Sequence, residues 1–355
     1  MPVRIQIIGG FLGAGKTTLI TKMAKKLMED GMKVGIIMND QADSLVDTQY
    51  SKELGLDCCE VAGGCFCCRF PDFLENARDL VKSGDPALIL AEPVGSCTDL
   101  MATVAAPLKR VYGDEFQVAP LIIMVDAERA ARNRMNDDSL GGYLRQHQIS
   151  EAEYVVLSKV DLVNEEYLES ISSKVNEINP RARVIPYSIG AEDGLDAILS
   201  LVLSEEESRI DPREIDYQVY AEAEAELGWY NGTFHAKVES LDAYLLCREL
   251  LENISSRFPV DDVAHAKIML VSESNAAKMS TVMGRVSIDA VGGSRFASGE
   301  TRITINARIA ADPQMLRMVV NEAVDLVANR FGLILELIDE DSFSPAAPNP
   351  TYRMK

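Results

Sequence analysis

"IIGGFLGAGKTTLI", residues 7–20, decides the first half of the chain. Ahead of it, Val3 to Ile8 form a short, β-branched apolar run. Behind it, Leu19, Ile20, Met23, Ala24, Leu27 and Met28 recur at helical spacing, with Gly31 placed to end the helix. Between strand and helix, Gly10, Gly15, Lys16 and Thr17 stand in the spacing G-x-x-x-x-G-K-T. That spacing in that setting predicts a phosphate-binding loop. Glycines let backbone N–H groups approach an anion, and the helix N-terminus favours its charge. Lys16 is expected to reach the β- and γ-phosphates and act in catalysis, and Thr17 to bind Mg²⁺.

Working outward, strand-like runs recur at residues 33–38, 87–91, 121–125, 154–157 and 184–187. Helical patterns such as residues 71–84 and 163–179 separate most of them. The alternation predicts an α/β fold: a doubly wound, mainly parallel sheet with ligands at the carboxyl ends of its strands. Glu92 ends one such run in "LILAEPVGS", where a Walker-B acid would hold Mg²⁺ through water and assist catalysis. Gly95, three residues on, is placed to offer its N–H to a γ-phosphate. In "VVLSKVDLV", residues 155–163, the Asp161 carboxylate matches both N–H groups of guanine's Watson–Crick edge, which adenine lacks. Lys159 would lie across the ring and Ser158 would orient the loop. The Ser188 region of "PYSIGAEDG" would offer backbone N–H to the guanine oxygen. GTP is therefore expected over ATP.

"VAGGCFCCRF", residues 61–70, holds three of the chain's seven cysteines. Three thiolates in four residues make a poor structural zinc knuckle, which uses two separated pairs. They make a good open site, with a fourth position left for water, another side chain or a partner. Sulfur ligands suit Zn²⁺, Co²⁺ or Cu(I) rather than Mg²⁺. A redox centre and plain packing are the competing readings of Cys65, Cys67 and Cys68. Cys58 and Cys59 are close enough in sequence to give a fourth ligand or a resolving thiol, or to pack. Cys97 and Cys247 read as core residues.

In order, a phosphate loop at the extreme N-terminus, G-C-x-C-C, E-x-x-G and K-x-D resemble the CobW/HypB/UreG family of GTPases, its CobW-like branch most closely. The resemblance covers about the first 200 residues. It implies a slow, regulatory GTP hydrolase that times delivery or insertion of a metal into other proteins. It maps phosphate binding onto Gly13, Ala14, Gly15, Lys16, Thr17 and Thr18, metal binding onto Cys65, Cys67 and Cys68, and base binding onto Lys159 and Asp161. Where the family often has N-E-F-G-E, this chain has "NDQAD" at residues 39–43, which puts Asp40 forward as an aid to Mg²⁺. The usual base motif begins with asparagine, and here Ser158 stands instead. GTP, Mg²⁺ and either Zn²⁺ or Co²⁺ are the implied cofactors, and a client metalloprotein or its assembly complex is the implied partner. A homodimer stays open. The family's tie by name to cobalamin leaves a corrinoid enzyme or methyltransferase as an alternative client.

At 355 residues and 47% hydrophobic content the chain suits two or three domains. A formal net charge of −20 repels phosphate backbones and anionic lipid, which argues against nucleic acid and membrane partners. No apolar run reaches the ~20 residues that span a bilayer. "MPVRIQIIGG" enters a strand at once, which predicts no signal or transit peptide and a cytoplasmic protein. The expected division is a GTPase domain over residues 1–204, an acidic linker over 205–227, a small α+β domain of ferredoxin-like type over 228–340 and a mobile tail over 341–355. That small domain is read as strand 233–238, helix 241–254, strands 264–271, 285–290 and 302–307, and helix 313–331. Within the linker Glu222, Glu224 and Glu226 alternate as on one face of a strand. His147, His235 and His265 are isolated and are assigned no site. Two rivals remain: a P-loop ATP enzyme with structural cysteines, and a GTPase whose triplet senses redox state.

Overall fold

The structure, a computed structural model, describes residues 2–39, 46–132, 140–190 and 194–355. The chain divides into two compact units. The first comprises residues 2–39, 56–223 and 347–355, and the second residues 46–55 and 224–346.

The first unit is built on eight strands: β1 (Val3–Gly10), β2 (Val34–Asn39), β3 (Cys58–Val61), β4 (Leu88–Glu92), β5 (Phe116–Val118), β6 (Ile122–Asp126), β7 (Tyr154–Ser158) and β8 (Arg183–Tyr187). They pair in the order β3-β2-β4-β1-β6-β7-β8, with β5 also on β1, and every pairing is parallel. The helices Lys16–Glu29, Phe70–Gly84, Leu140–Glu151, Glu165–Ile178 and Leu195–Val202 lie between strands in sequence. Ile5, Ile7 and Ile8 of β1 and Ile36 and Ile37 of β2 are fully buried. Consecutive residues of a strand face opposite sides, so both faces of the sheet are covered and the strands read as unbroken apolar runs. The order reverses at β1, between β4 and β6, and there the loop that follows β1 sits at a switch point.

Two strands of this sheet carry no sequence signal. β3 is four residues beginning with two cysteines, and β5 is three residues. Both draw their order from backbone pairing with a longer neighbour. The acidic stretch departs from expectation as well: Tyr217–Ala225 is a helix, and Glu224 is buried within it. Alanines at 221, 223 and 225 favour helix over strand, and the alternation of glutamates with alanines mimics a strand pattern. Residues 349–354, expected to be mobile, are hydrogen-bonded along the first unit.

The second unit is an antiparallel sheet of β9 (Gly228–Asp242), β10 (Val263–Val271), β11 (Asn275–Val282), β12 (Arg285–Gly293), β13 (Phe296–Ile309) and β14 (Glu336–Phe343), in the order β12-β11-β10-β13-β9-β14. The helices Ala243–Ser255 and Pro313–Phe331 bury Leu246, Leu250, Leu316 and Val320 in its core. Strand–helix–strand, strand–helix–strand with the order β14-β9-β13-β10 is the ferredoxin-like arrangement, and the β11–β12 hairpin extends it at one edge. β11 and β14 are absent from the sequence reading. "NAAKMSTV" lacks apolar alternation, and "ELIDEDSF" is an acidic edge strand with mostly exposed side chains. The helix Val46–Glu53, which follows β2 in the chain, packs in this unit through Val46 and Tyr50 against Met269 and Ala276.

Candidate functional site

The phosphate loop takes its shape from two glycines. Gly10 has φ of +130°, and a Cβ there would stand 2.3 Å from the Met124 carbonyl oxygen, so β1 approaches β6 more closely than any side chain allows. Gly15, at φ +93°, caps the helix that opens with Lys16. Lys16 is buried, and its Nζ donates to the Gly10 carbonyl across the loop at 2.8 Å. Thr17 Oγ1 donates to Glu92 Oε1 at 3.0 Å, which joins the first turn of the helix to the end of β4. Both residues are buried, and their hard oxygens fit a Mg²⁺ ion. Gly95 lies against the phosphate loop: a Cβ there would stand 2.7 Å from Leu12 Cδ2 and 3.0 Å from Leu12 N. Gly13, Ala14 and Thr18 lie in the same loop and first helical turn. Asp40 lies outside the described residues.

Of the residues expected to read the base, Ser158 reaches the same loop. Ser158 Oγ donates to the Ala14 carbonyl at 2.8 Å and to the Val125 carbonyl at 3.3 Å, tying β7 to the phosphate loop. Lys159 adopts φ of +59°, and its Nζ lies 2.5 Å from Asp126 Oδ2. Asp161 Oδ1 accepts from the Ser188 hydroxyl at 2.6 Å. Asp126, at the end of β6, escaped the sequence reading, although an acid closing an apolar strand run is the signal used for Glu92.

The cysteine turn follows β3. Cys65, Cys67 and Cys68 bring their sulfur atoms within 4.8 Å of one another, with Cys65 and Cys67 buried. The Cys65–Cys67 separation is 2.7 Å, Cys65–Cys68 3.3 Å and Cys67–Cys68 3.8 Å. Backbone N–H groups of Cys68 and Arg69 both donate to the Cys65 carbonyl, which closes the turn just ahead of the helix Phe70–Gly84. Asn39, at the end of β2, holds it from the other side. Its Nδ2 donates to the Val61 and Gly64 carbonyls at 2.8 and 2.7 Å, and its Oδ1 accepts from Phe66 N at 2.7 Å. Nothing in the sequence marks Asn39 for this task. The donors and acceptor are set by where β2 ends beside β3.

Hydrogen bonds from Cys67, Cys68 and Cys97 hold the Cys65 thiol well below its ordinary value. The same bond to Cys65 pushes Cys67 well up and Cys68 up to about 11. Cys65 is thus the member of the cluster that gives up its proton most readily, with S–H donors beside it and the start of a helix nearby. Metal binding at such a cluster would displace the thiol protons, with Cys65 the first to yield. Cys58 and Cys59 lie on β3 outside this group. Cys97, read as a core residue, is buried but interacts with Cys65 and Cys67.

A family model described as CobW/HypB/UreG, nucleotide-binding domain, matches residues 4–186. The zinc-regulated GTPase metalloprotein activator 1 of Schizosaccharomyces pombe is 27% identical over 208 residues, which are 56% of this chain and 49% of that one. The zinc chaperone YjiA of Escherichia coli is 29% identical over 199 residues, 54% of this chain and 59% of that protein. The chain thus spans between about half and three fifths of these curated relatives. Among solved structures, the Zn(II)-bound YjiA GTPase of E. coli aligns over 91% of this chain and 99% of that chain, at 17% identity and a TM-score of 0.36.

Proposed function

Because the chain belongs to the CobW/HypB/UreG family, whose nucleotide-binding domain it carries over residues 4–186, we propose that it is a GTP-dependent metallochaperone. It binds GTP with Mg²⁺, hydrolyses it slowly, holds Zn²⁺ or Co²⁺ at Cys65, Cys67 and Cys68, and delivers that cargo to a client metalloprotein. The observation that carries this reading is the convergence of the three sulfurs within 4.8 Å of one another on a turn pinned by Asn39. The names of the two relatives, a zinc-regulated activator and a zinc chaperone, support zinc as the cargo.

The residues divide the work as follows. Lys16 exchanges its Gly10 carbonyl for phosphate oxygens, while the backbone of residues 13–18 cradles the phosphates. Thr17 and Glu92, already 3.0 Å apart, are the residues that would hold Mg²⁺. When bound, Mg²⁺ neutralises charge that builds on the β- and γ-phosphate oxygens. Asp161 accepts guanine's two N–H groups, with Ser158 keeping that loop against Ala14. The loop from Glu92 through Gly95 reports whether a γ-phosphate is present. Working in the cytoplasm fits this role, and among the described residues no helix is long and apolar enough to cross a membrane.

The test is the Zn²⁺ and Co²⁺ affinity of the reduced, metal-free protein with Mg²⁺·GTP and with Mg²⁺·GDP, and with Cys67→Ser as control. Co²⁺–thiolate absorption reports ligation directly. A clear difference between the two nucleotides is the expected result, and metal must shift GTP affinity by the same factor. Tight binding indifferent to nucleotide would return the triplet to a structural or redox role. An absence of binding would end the metallochaperone reading.

A further inference from the structure

We propose that Cys97 is the fourth ligand of the transition-metal site, so that the loaded site is a tetrathiolate drawn from two separate pieces of chain. This deepens the reading above and rests on it. Three ligands come from the turn at residues 65–68, and the fourth from the loop that follows β4, two residues beyond Gly95.

Burial, neighbours and backbone anchoring converge on Cys97. Its side chain is 1% exposed, and it interacts with both Cys65 and Cys67, the two buried members of the trio. Its backbone is fixed on three sides. Cys97 N donates to the Val94 carbonyl at 2.9 Å. Gln148, itself buried, donates from Nε2 to the Cys97 carbonyl at 2.8 Å and to the Gly95 carbonyl at 3.0 Å. The next residue, Thr98, donates its N–H to the Tyr220 hydroxyl at 3.2 Å. A loop held so closely presents its sulfur at a defined place, which a ligand needs and a merely space-filling residue does not.

The donor chemistry agrees. Zn²⁺ and Co²⁺ in sulfur sites are four-coordinate and tetrahedral, and Zn–S bonds of about 2.3 Å put sulfurs about 3.8 Å apart. Cys67 and Cys68 already stand 3.8 Å apart, and the 2.7 Å between Cys65 and Cys67 must open on loading. Cys97 lies outside the group whose sulfurs are all within 4.8 Å of one another, so on loading the cysteine turn must shift towards the anchored Cys97 sulfur. The loop that supplies that sulfur also carries Gly95, packed against Leu12 of the phosphate loop. The fourth bond therefore lies on the segment that distinguishes GTP from GDP. A ligand set that alternates between three sulfurs and four is a means of holding metal in one nucleotide state and loosening it in the other. The excess negative charge of four thiolates on a divalent ion is met by N–H donors, among them the Asn349 amide 3.2 Å from Cys68 Sγ.

The deciding experiment is zinc X-ray absorption on the full reduced chain loaded with one equivalent of Zn²⁺, with metal stoichiometry and monomeric mass checked on the same sample. Wild type is expected to give four sulfurs at about 2.3 Å. Cys97→Ser is expected to give three sulfurs and one lighter ligand at about 2.0–2.1 Å, with affinity lower by about tenfold or more. An unchanged circular dichroism spectrum and urea midpoint of the metal-free variant would show that it is folded. If it does not fold, four sulfurs retained in a Cys58→Ser/Cys59→Ser variant would leave Cys97 as the source of the fourth, and three sulfurs there would overturn it. Three sulfurs in wild type would overturn Cys97 as a ligand and leave metal binding by Cys65, Cys67 and Cys68 intact. Zinc held without sulfur in wild type would overturn the metallochaperone reading itself.

Discussion

Asn39 and Glu151 illustrate what single residues do in the first unit. Asn39 makes three hydrogen bonds that shape residues 61–66, and alanine there would leave the Val61 and Gly64 carbonyls and the Phe66 N–H to find other partners. Asn39→Ala is expected to cost about 2 kcal/mol in the urea midpoint and to weaken Co²⁺ binding without altering the cysteines. A variant with full Co²⁺ affinity would show that the turn holds its shape unaided. Glu151 is buried, accepting from Met101 N at 2.9 Å and Thr98 Oγ1 at 3.2 Å. Burial, with Asp99 nearby, pushes its carboxyl up to about 8. The folded state therefore keeps a proton that the unfolded chain gives up near its ordinary value. Its contribution to stability is complete below the unfolded value of about 4.5 and is lost as pH rises towards 8. Glu151→Gln is expected to flatten the decline of thermal stability between pH 5 and pH 8. Parallel pH profiles for the two proteins would refute that assignment. The sequence offers no hint of either residue's task, because burial and partner geometry come from distant segments.

Among elements, the C-terminal segment departs most from its composition. "SPAAPNPTYRMK" is rich in proline and lacks a regular pattern, yet it is held by specific contacts. Thr351 N donates to the Cys67 carbonyl at 2.8 Å, and Met354 N to the Ala102 carbonyl at 2.9 Å. Tyr352 packs edge-on against Phe70 with ring centroids 5.2 Å apart. Arg353 Nε donates to the buried Asp99 at 2.9 Å, beside the Tyr217 hydroxyl. Arg353→Ala is expected to raise amide hydrogen exchange across residues 347–355 and to speed modification of Cys68 by a maleimide. Exchange as slow as in wild type would mean that Tyr352 and the backbone bonds suffice. The helix Val46–Glu53 is the second such element. Burial pushes the Asp47 carboxyl up, but Lys267 and Lys278 outweigh it and hold it well below the usual carboxylate range. That contribution is present above the ordinary aspartate value and is lost as pH falls through the folded one. Asp47→Ala is expected to cost about 3 kcal/mol at pH 7 and progressively less as pH falls below the ordinary aspartate value, read from urea midpoints.

At the scale of the whole molecule, the second unit is not a contiguous piece of chain. Residues 46–55 belong to it although they lie between β2 and β3 in sequence. A fragment of residues 224–346 lacks Asp47 and Tyr50, which face Lys278 at 2.8 Å and 4.3 Å. It is expected to unfold at lower urea than the same sheet in the full chain. An equal midpoint would show that the helix adds nothing to that unit. The net charge of −20 bears on partners at this scale as well, since it disfavours anionic surfaces without specifying the client.

Local pattern was enough for the doubly wound sheet and for the family of its nucleotide-binding domain, and it singled out the three cysteines that the fold brings together. Glycine spacing, strand-length apolar runs and clustered thiols act within a few residues of one another, so their order along the chain carries their meaning. Of the βαββαβ core of the second unit, both helices and the strands β9, β10 and β13 were legible for the same reason, and the closing strand β14 was not. What only the tertiary structure decided depends on segments far apart in sequence. β3, β5, β11 and β14 exist because longer neighbours offer them backbone partners. Asn39 shapes a turn some 25 residues away, the tail finds Asp99 across 254 positions, and Asp47 meets lysines more than 200 residues on. Cys97 read as a core residue because an isolated buried cysteine has no periodic signature. Its place beside Cys65 and Cys67 comes from folding, which sets the loop after β4 against the turn after β3.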